Sequence, residues 1–209
     1  MLRLAVFASG KGSNLRAIDR AIRSGALGGI SLELVLSNNS DAEALAYARN
    51  SGIAAVHLSG AMANSEEHLG EEMLRVLGEH KIDIIALAGY MKKIPAAVVR
   101  EFRGRLVNIH PSLLPAFGGE GMYGMNVHRA VIASGAKKTG ATVHFVDADY
   151  DSGEIIAQAE CDVLAGDTAE ILAKRVLLLE HELYPRALQI VVSDRWPVAS
   201  KNASDDSKR

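Results

Sequence analysis

Leu2-Arg3-Leu4-Ala5-Val6-Phe7-Ala8-Ser9-Gly10-Lys11-Gly12-Ser13-Asn14-Leu15 opens the chain, and Leu15, Ile18, Ala21 and Ile22 follow at helical spacing. A short apolar run that stops at a glycine-rich turn and passes into an amphipathic stretch reads as strand, loop, helix. Leu2–Ala8 is the expected strand and Asn14–Ser24 the expected helix. Their order repeats along the chain: strand Leu32–Leu36, helix Asp41–Asn50, strand Ala54–Leu58, a helix opened by Ser65, strand Asp83–Leu87, a short helix after Pro95, strand Arg105–Ile109. Strands separated by helices pair in parallel, so the expected fold is α/β: an open, mostly parallel twisted sheet, Rossmann-like, with helices on both faces.

Beyond residue 110 the pattern changes. Pro111–Asn126 reads as a loop with Gly118, Gly119, Gly121 and Gly124, and a helix is expected over His128–Ser134. Ala141–Val146 and Ile155–Val163 lie too close in sequence for a helical crossover and are expected as antiparallel edge strands. A long helix should run from Asp167 to about Val192. Asp167 and Glu170 form a capping box there, and Pro185 is expected to kink it. Residues 1–192 therefore read as one domain and 193–209 as a polar tail.

Composition bounds the function. In 209 residues, 48% are hydrophobic and 23% charged, which excludes a disordered chain, and the net charge of −2 excludes a protein held to nucleic acid by phosphate contacts alone. Leu4–Ala8 is too short for a signal-peptide core or a membrane span, so neither a membrane nor a nucleic-acid partner is expected. Cys161 is the single cysteine. It can form neither an internal disulfide nor a cysteine-rich metal site, and a reducing cytoplasm is the simplest location.

The first loop suits an anion. Glycines allow close backbone approach, and the following helix presents free N–H groups. Leu15 stands where a dinucleotide fingerprint needs its third glycine, and no Gly-Lys-Ser/Thr follows for a P-loop. The loop is either a single-phosphate site or an ordinary tight turn capped by Ser13 or Asn14. In Arg105-Leu106-Val107-Asn108-Ile109-His110-Pro111, Asn108 and His110 are two apart and share a strand face at the carboxyl end, where open α/β sheets bind ligands. An amide and an imidazole side by side suit a developing oxyanion, although the same residues also serve as a strand-end cap and a backbone-bonded histidine. His144 and Thr142 share a face of a later strand and can meet the same cleft. Asp147-Ala148-Asp149-Tyr150-Asp151-Ser152-Gly153 starts like a calcium loop, but Ser152 occupies the glycine position and Gln158 the twelfth. No calcium is expected there. The better reading is a turn that presents Asp151, with Asp147 and Asp149 solvated.

Four stretches in order, Gly12-Ser13-Asn14, Ala88-Gly89-Tyr90-Met91, Asn108-Ile109-His110-Pro111-Ser112-Leu113-Leu114-Pro115 and Asp151-Ser152-Gly153, resemble the folate-dependent phosphoribosylglycinamide formyltransferase family over roughly residues 2 to 190. The resemblance implies transfer of the formyl group of 10-formyltetrahydrofolate, a co-substrate, to the amine of glycinamide ribonucleotide. It implies a tetrahedral intermediate and no metal. It assigns catalysis to Asn108, His110 and Asp151, with Asp151 keeping His110 charged. It assigns phosphate and ribose binding to Gly12, Ser13, Asn14 and Glu180, and folate binding to Tyr90, Met91, Lys92, Lys93, Ile94, Asn108 and His144. Here Lys92-Lys93 replaces the family's Met-Arg continuation, and Asn64-Ser65-Glu66-Glu67 stands where an arginine often meets the folate tail. The loop Phe117–His128 is longer than usual and is expected to act as a mobile lid. Competing readings are a formyltetrahydrofolate hydrolase, a methionyl-tRNA formyltransferase, or a non-catalytic nucleotide-binding module. The hydrolase normally carries an extra amino-terminal domain and the methionyl-tRNA enzyme an extra carboxyl-terminal one; with nothing before the first strand and only 193–209 after the last helix, no additional packed domain is expected. A monomer and a homodimer are both compatible with the sequence.

Overall fold

The computed structural model describes residues 1–61, 63, 65–147 and 149–193. Seven strands among them form one sheet in the order β3-β2-β1-β4-β5-β6-β7. The strands are β1 (Leu2–Phe7), β2 (Ile30–Ser37), β3 (Ala54–His57), β4 (Ile84–Leu87), β5 (Leu106–His110), β6 (Lys138–Phe145) and β7 (Ile155–Asp162). The helices are α1 (Ser13–Arg23), α2 (Glu43–Asn50), α3 (Glu66–Glu79), α4 (Ala96–Glu101), α5 (Met125–Ser134) and α6 (Ala169–Val192). β1 through β5 pair in parallel, while β5–β6 and β6–β7 pair antiparallel. The expected sheet and its antiparallel edge are what forms.

Burial explains this division. In β1, Leu4 and Val6 enter one apolar cluster while Ala5 and Phe7 enter the other, and all four are fully buried. Strands apolar on both faces require cover on both sides. α1, α2, α5 and α6 cover one face; α3 and α4 cover the other. Each Leu or Phe buried this way contributes about 1.5–3 kcal/mol relative to exposure. β7 alternates half-buried and exposed residues along most of its length, as an edge strand with one wet face must.

Strand order reverses between β1 and β4, since β1 leads outward to β2 on one side and pairs with β4 on the other. The loops after β1 and β4 therefore open side by side at the carboxyl ends of the strands. No helix among the described residues is long and apolar enough to cross a membrane.

Two local expectations change. The cap of α6 is Thr168, whose hydroxyl accepts from the Ile171 N–H; Asp167 is instead taken by Arg175 and the Leu164 N–H, so no Asp167–Glu170 box forms. α5 begins at Met125, three residues before the expected start, with Gly124 as its cap. α6 runs on through Pro185. The polar tail lies almost wholly at 194–209, outside the described residues, as does Asn64.

Candidate active site

The glycine loop folds for a physical reason visible at Gly12. Its φ of +69° lies in the left-handed region, and a Cβ there would sit 3.0 Å from that of Ala44 on the neighbouring helix. Gly12 itself is the cap of α1, and no side chain bonds the first turn. Neither Ser13 nor Asn14 is therefore the N-cap. Asn14 is buried and turned the other way: its Nδ2 donates to Glu180 Oε2 at 2.6 Å. Two residues 166 apart in sequence are thus joined, one from the first loop and one from α6. Burial raises the Glu180 carboxyl above its ordinary range, and the Asn14 amide pulls it back down. The Oδ1 of Asn14 is buried without a protein partner. Ser13 is half-buried beside it.

Ser9 joins this loop to the next. Its hydroxyl donates to Asn38 Oδ1 and accepts from the Met91 N–H at 2.7 Å, while its own N–H donates to the Gly89 carbonyl. In the loop after β4, Tyr90 stacks tilted on Phe7 at 5.5 Å between centroids, and burial pushes its hydroxyl up to about 12. Ile94 is buried; Met91, Lys92 and Lys93 are exposed. The Lys93 ammonium lies 5.7 Å from the Tyr150 ring and so links this loop to the Asp151 turn.

The third component is the β5–β6 pair. Antiparallel register sets Asn108 opposite His144 and His110 opposite Thr142, which puts all four side chains on one face. Asn108 Nδ2 lies 3.1 Å from His144 Nε2. The 146–154 turn folds back so that Asp151 Oδ2 stands 3.4 Å from His110 Nδ1 and Oδ1 stands 3.5 Å from His144 Nε2. Asp151 has φ +54°, and its Oδ2 accepts the Gly119 N–H at 3.0 Å. Asp147, expected to be merely solvated, also accepts from the Ser152 hydroxyl and the Asp149 N–H and closes the turn.

The ring tautomers follow from the backbone. His110 Nε2 donates to the Phe117 carbonyl and His144 Nδ1 to that of Phe145, each at 2.8 Å. Each carbonyl takes one ring proton, so the remaining nitrogens of both rings face the same carboxylate. A proton added to either ring falls between imidazole and Asp151. Burial pushes His110 below the usual histidine range, against the pull of Asp151 and the Phe117 carbonyl. The resemblance implied that Asp151 keeps His110 charged; Asp151 does pull in that direction, and desolvation of the ring opposes it more strongly in the free protein. Burial alone would raise Asp151, but the His144 contact, the Gly119 N–H and the imidazole charges hold it below its ordinary value.

Several supporting groups carry no motif. Phe117 and Gly119 act through backbone atoms of the long loop. Thr142 donates to the Ser112 carbonyl and accepts from the Leu114 N–H and from Gln158, which fixes the chain just after His110. His128 on α5 is buried with Nδ1 unpartnered and lies near enough to His110 for their charges to oppose each other. Its proximity follows from the course of the loop, which sequence spacing does not encode.

The Formyl transferase family profile matches residues 2–188. A chloroplastic phosphoribosylglycinamide formyltransferase of Vigna unguiculata is 46% identical over 92% of this chain, which spans 62% of that protein's length. The phosphoribosylglycinamide formyltransferase of Escherichia coli is 35% identical and aligns over 100% of this chain and 95% of its own. Among solved structures, glycinamide ribonucleotide transformylase 1 of Symbiobacterium toebii superposes with a TM-score of 0.87 at 38% identity, covering 93% of this chain and 89% of that one. The chain belongs to the formyl transferase family, within its phosphoribosylglycinamide formyltransferase branch.

Proposed function

We propose that this protein transfers the formyl group of 10-formyltetrahydrofolate to the amino group of glycinamide ribonucleotide, a step of purine biosynthesis. The observation that carries the reading is the convergence of His110 and His144 on Asp151, with Asn108 bonded to His144 beside them. Relatives named phosphoribosylglycinamide formyltransferase support the acceptor, and the resemblance of the sequence implies the formyl donor.

In this reading the amine nitrogen forms a bond to the formyl carbon as the carbonyl π pair moves onto oxygen. The Asn108 amide has one N–H on His144 and a second to offer that oxygen. His110 becomes the second donor once it is protonated at Nδ1, and an oxyanion nearby favours that charge. Asp151, held ionised, accepts the proton lost by the amine, directly or through a water. The bond from carbon to folate nitrogen then breaks, and a proton passes to that nitrogen, so charge and atoms balance. Gly12, Ser13 and the first turn of α1 hold the phosphate, and Glu180 with Asn14 holds the ribose hydroxyls. Tyr90, Met91, Lys92, Lys93, Ile94, Asn108 and His144 border the pterin. Lys92 and Lys93 supply point charges for the folate tail where the family often uses arginine.

The test is consumption of 10-formyltetrahydrofolate with and without glycinamide ribonucleotide, read with His110→Ala and Asp151→Asn. Acceptor-dependent turnover that falls about 10²-fold or more in each variant is expected. Equal consumption without acceptor would favour a hydrolase, and near-normal turnover in either variant would remove that residue's role.

A further inference from the structure

Tyr184 is fully buried, yet its polar atom lies within the sheet's carboxyl end. Its hydroxyl is 3.0 Å from the Leu87 carbonyl and 3.1 Å from the Val107 carbonyl. Leu87 is the last residue of β4, and Val107 immediately precedes Asn108 in β5. The β4–β5 ladder ends at Leu87↔Asn108. The hydroxyl therefore stands between the two strands where their mutual pairing stops and their loops diverge. The loop after β4 carries Tyr90 to Ile94, while β5 runs on past the ladder's end through Asn108 to His110. The same face of α6 presents Glu180 one turn earlier, bonded to Asn14 of the first loop. A single rigid helix thus holds the nucleotide side through Glu180 and the folate side through Tyr184.

We propose that Tyr184 is a positioning residue whose hydroxyl clamps the ends of β4 and β5 and thereby fixes Asn108 and the folate loop relative to the phosphate-anchored amine. This rests on the functional reading above. A buried hydroxyl is not needed to fill space, since phenylalanine has the same ring, and leaving it in an apolar core is favourable only with a partner. Here the Val107 carbonyl lies one residue before Asn108, and the Leu87 carbonyl three residues before Tyr90. Displacing such groups by a fraction of an ångström affects the approach of the reacting atoms far more than it affects binding of either substrate.

The test compares Tyr184→Phe with Val176→Ala, a core truncation on the same helix remote from these carbonyls, by steady-state kinetics and thermal melting. The clamp predicts that kcat falls about tenfold or more in Tyr184→Phe, with KM for glycinamide ribonucleotide within about threefold of the unmodified value. Val176→Ala should melt earlier and keep its kcat. Unchanged kcat in Tyr184→Phe, an equal loss of kcat in Val176→Ala, or failure of Tyr184→Phe alone to fold would each overturn the clamp, because the hydroxyl would then serve only the core. Absence of transfer by the unmodified protein would overturn the functional reading and the clamp together, so the two failures are told apart.

Discussion

Asn108 and His144 face each other across β5 and β6 and share one hydrogen bond, from the amide Nδ2 to the imidazole Nε2 at 3.1 Å. The direction of that bond is set one residue away, where the Phe145 carbonyl holds the Nδ1 proton of His144 and leaves Nε2 as an acceptor. The amide is thereby fixed with its second N–H free. Truncating Asn108 removes that donor, and Asn108→Ala should lower kcat by about 10²–10³-fold, the scale of a lost oxyanion donor. His144→Phe keeps the bulk and removes the acceptor, so the amide can rotate; a smaller loss, about tenfold, is expected. Single-turnover kinetics at saturating substrates measure both, and equal losses in the two variants would mean that His144 does more than orient the amide.

The alternation of strands and helices, the antiparallel edge and the shared face of Asn108 and His110 were legible in the sequence because each depends on local periodicity. Glu180 was reached only through the resemblance, and its bond to Asn14 not at all: a glutamate on a long helix has no local mark of burial. Phe117 and Gly119 were not legible at all. They contribute a carbonyl and an N–H, which every residue possesses, and only the path of the long loop selects them. The direction in which burial shifts His110 was not legible for a related reason. A nearby aspartate is visible in a motif, whereas the desolvation that outweighs it is a property of the assembled core.

Burial holds His110, His128 and His181 below the ordinary histidine value of about 6.5. The unfolded chain keeps the ordinary value, so below about pH 6.5 it binds more protons than the folded chain. Stability from these groups is present above that pH and is lost as pH falls through the depressed values. Glu180 acts in the opposite sense, because its raised carboxyl is protonated first in the folded state. His128→Leu isolates one contribution. Its Nδ1 is buried without a partner, so leucine gives up no hydrogen bond at that atom. Denaturant melts between pH 7 and 5.5 should decline less steeply in the variant, by up to about 1.4 kcal/mol per pH unit. An unchanged slope would show that His128 does not titrate with folding.

Glu180 is nine-tenths or more buried and bonded to Asn14, whose Oδ1 is left without a protein partner. In the proposed function the Glu180 carboxylate is the acceptor for the ribose hydroxyls. Glu180→Gln keeps the size and removes the charge. A hydrogen bond to a charged acceptor is worth about 1.5–3 kcal/mol, so KM for glycinamide ribonucleotide should rise by about tenfold or more while KM for the folate stays nearly unchanged. In the unmodified protein, the same KM should rise as pH falls through the raised carboxyl value, and the variant should lack that dependence. Rise of both KM values together would place Glu180 in the core rather than in the nucleotide site.

Two glycines flank Asp151 in space and should fail in different ways when a methyl group is added. At Gly153 a Cβ would lie 1.9 Å from the Phe145 carbonyl oxygen, which belongs to the backbone of β6 and cannot rotate away. Gly153→Ala must open the turn, at a cost of about 2 kcal/mol or more, which for a chain of this size lowers the melting temperature by roughly 4–8 °C. At Gly118 the nearest atom is Leu114 Cδ2 at 2.5 Å, the tip of a side chain that can change rotamer, and the next is Asp151 Cβ at 3.3 Å. Gly118→Ala should therefore melt within about 2 °C of the unmodified protein but push Asp151 away from His110. A fall of about tenfold in kcat is expected, since the carboxylate stands 3.4 Å and 3.5 Å from the two rings, already at the long end of hydrogen-bond distance. Paired melting curves and initial rates distinguish the two cases. A Gly118→Ala protein that melts early with unaltered kcat would show that the long loop supports the fold and leaves Asp151 where it is.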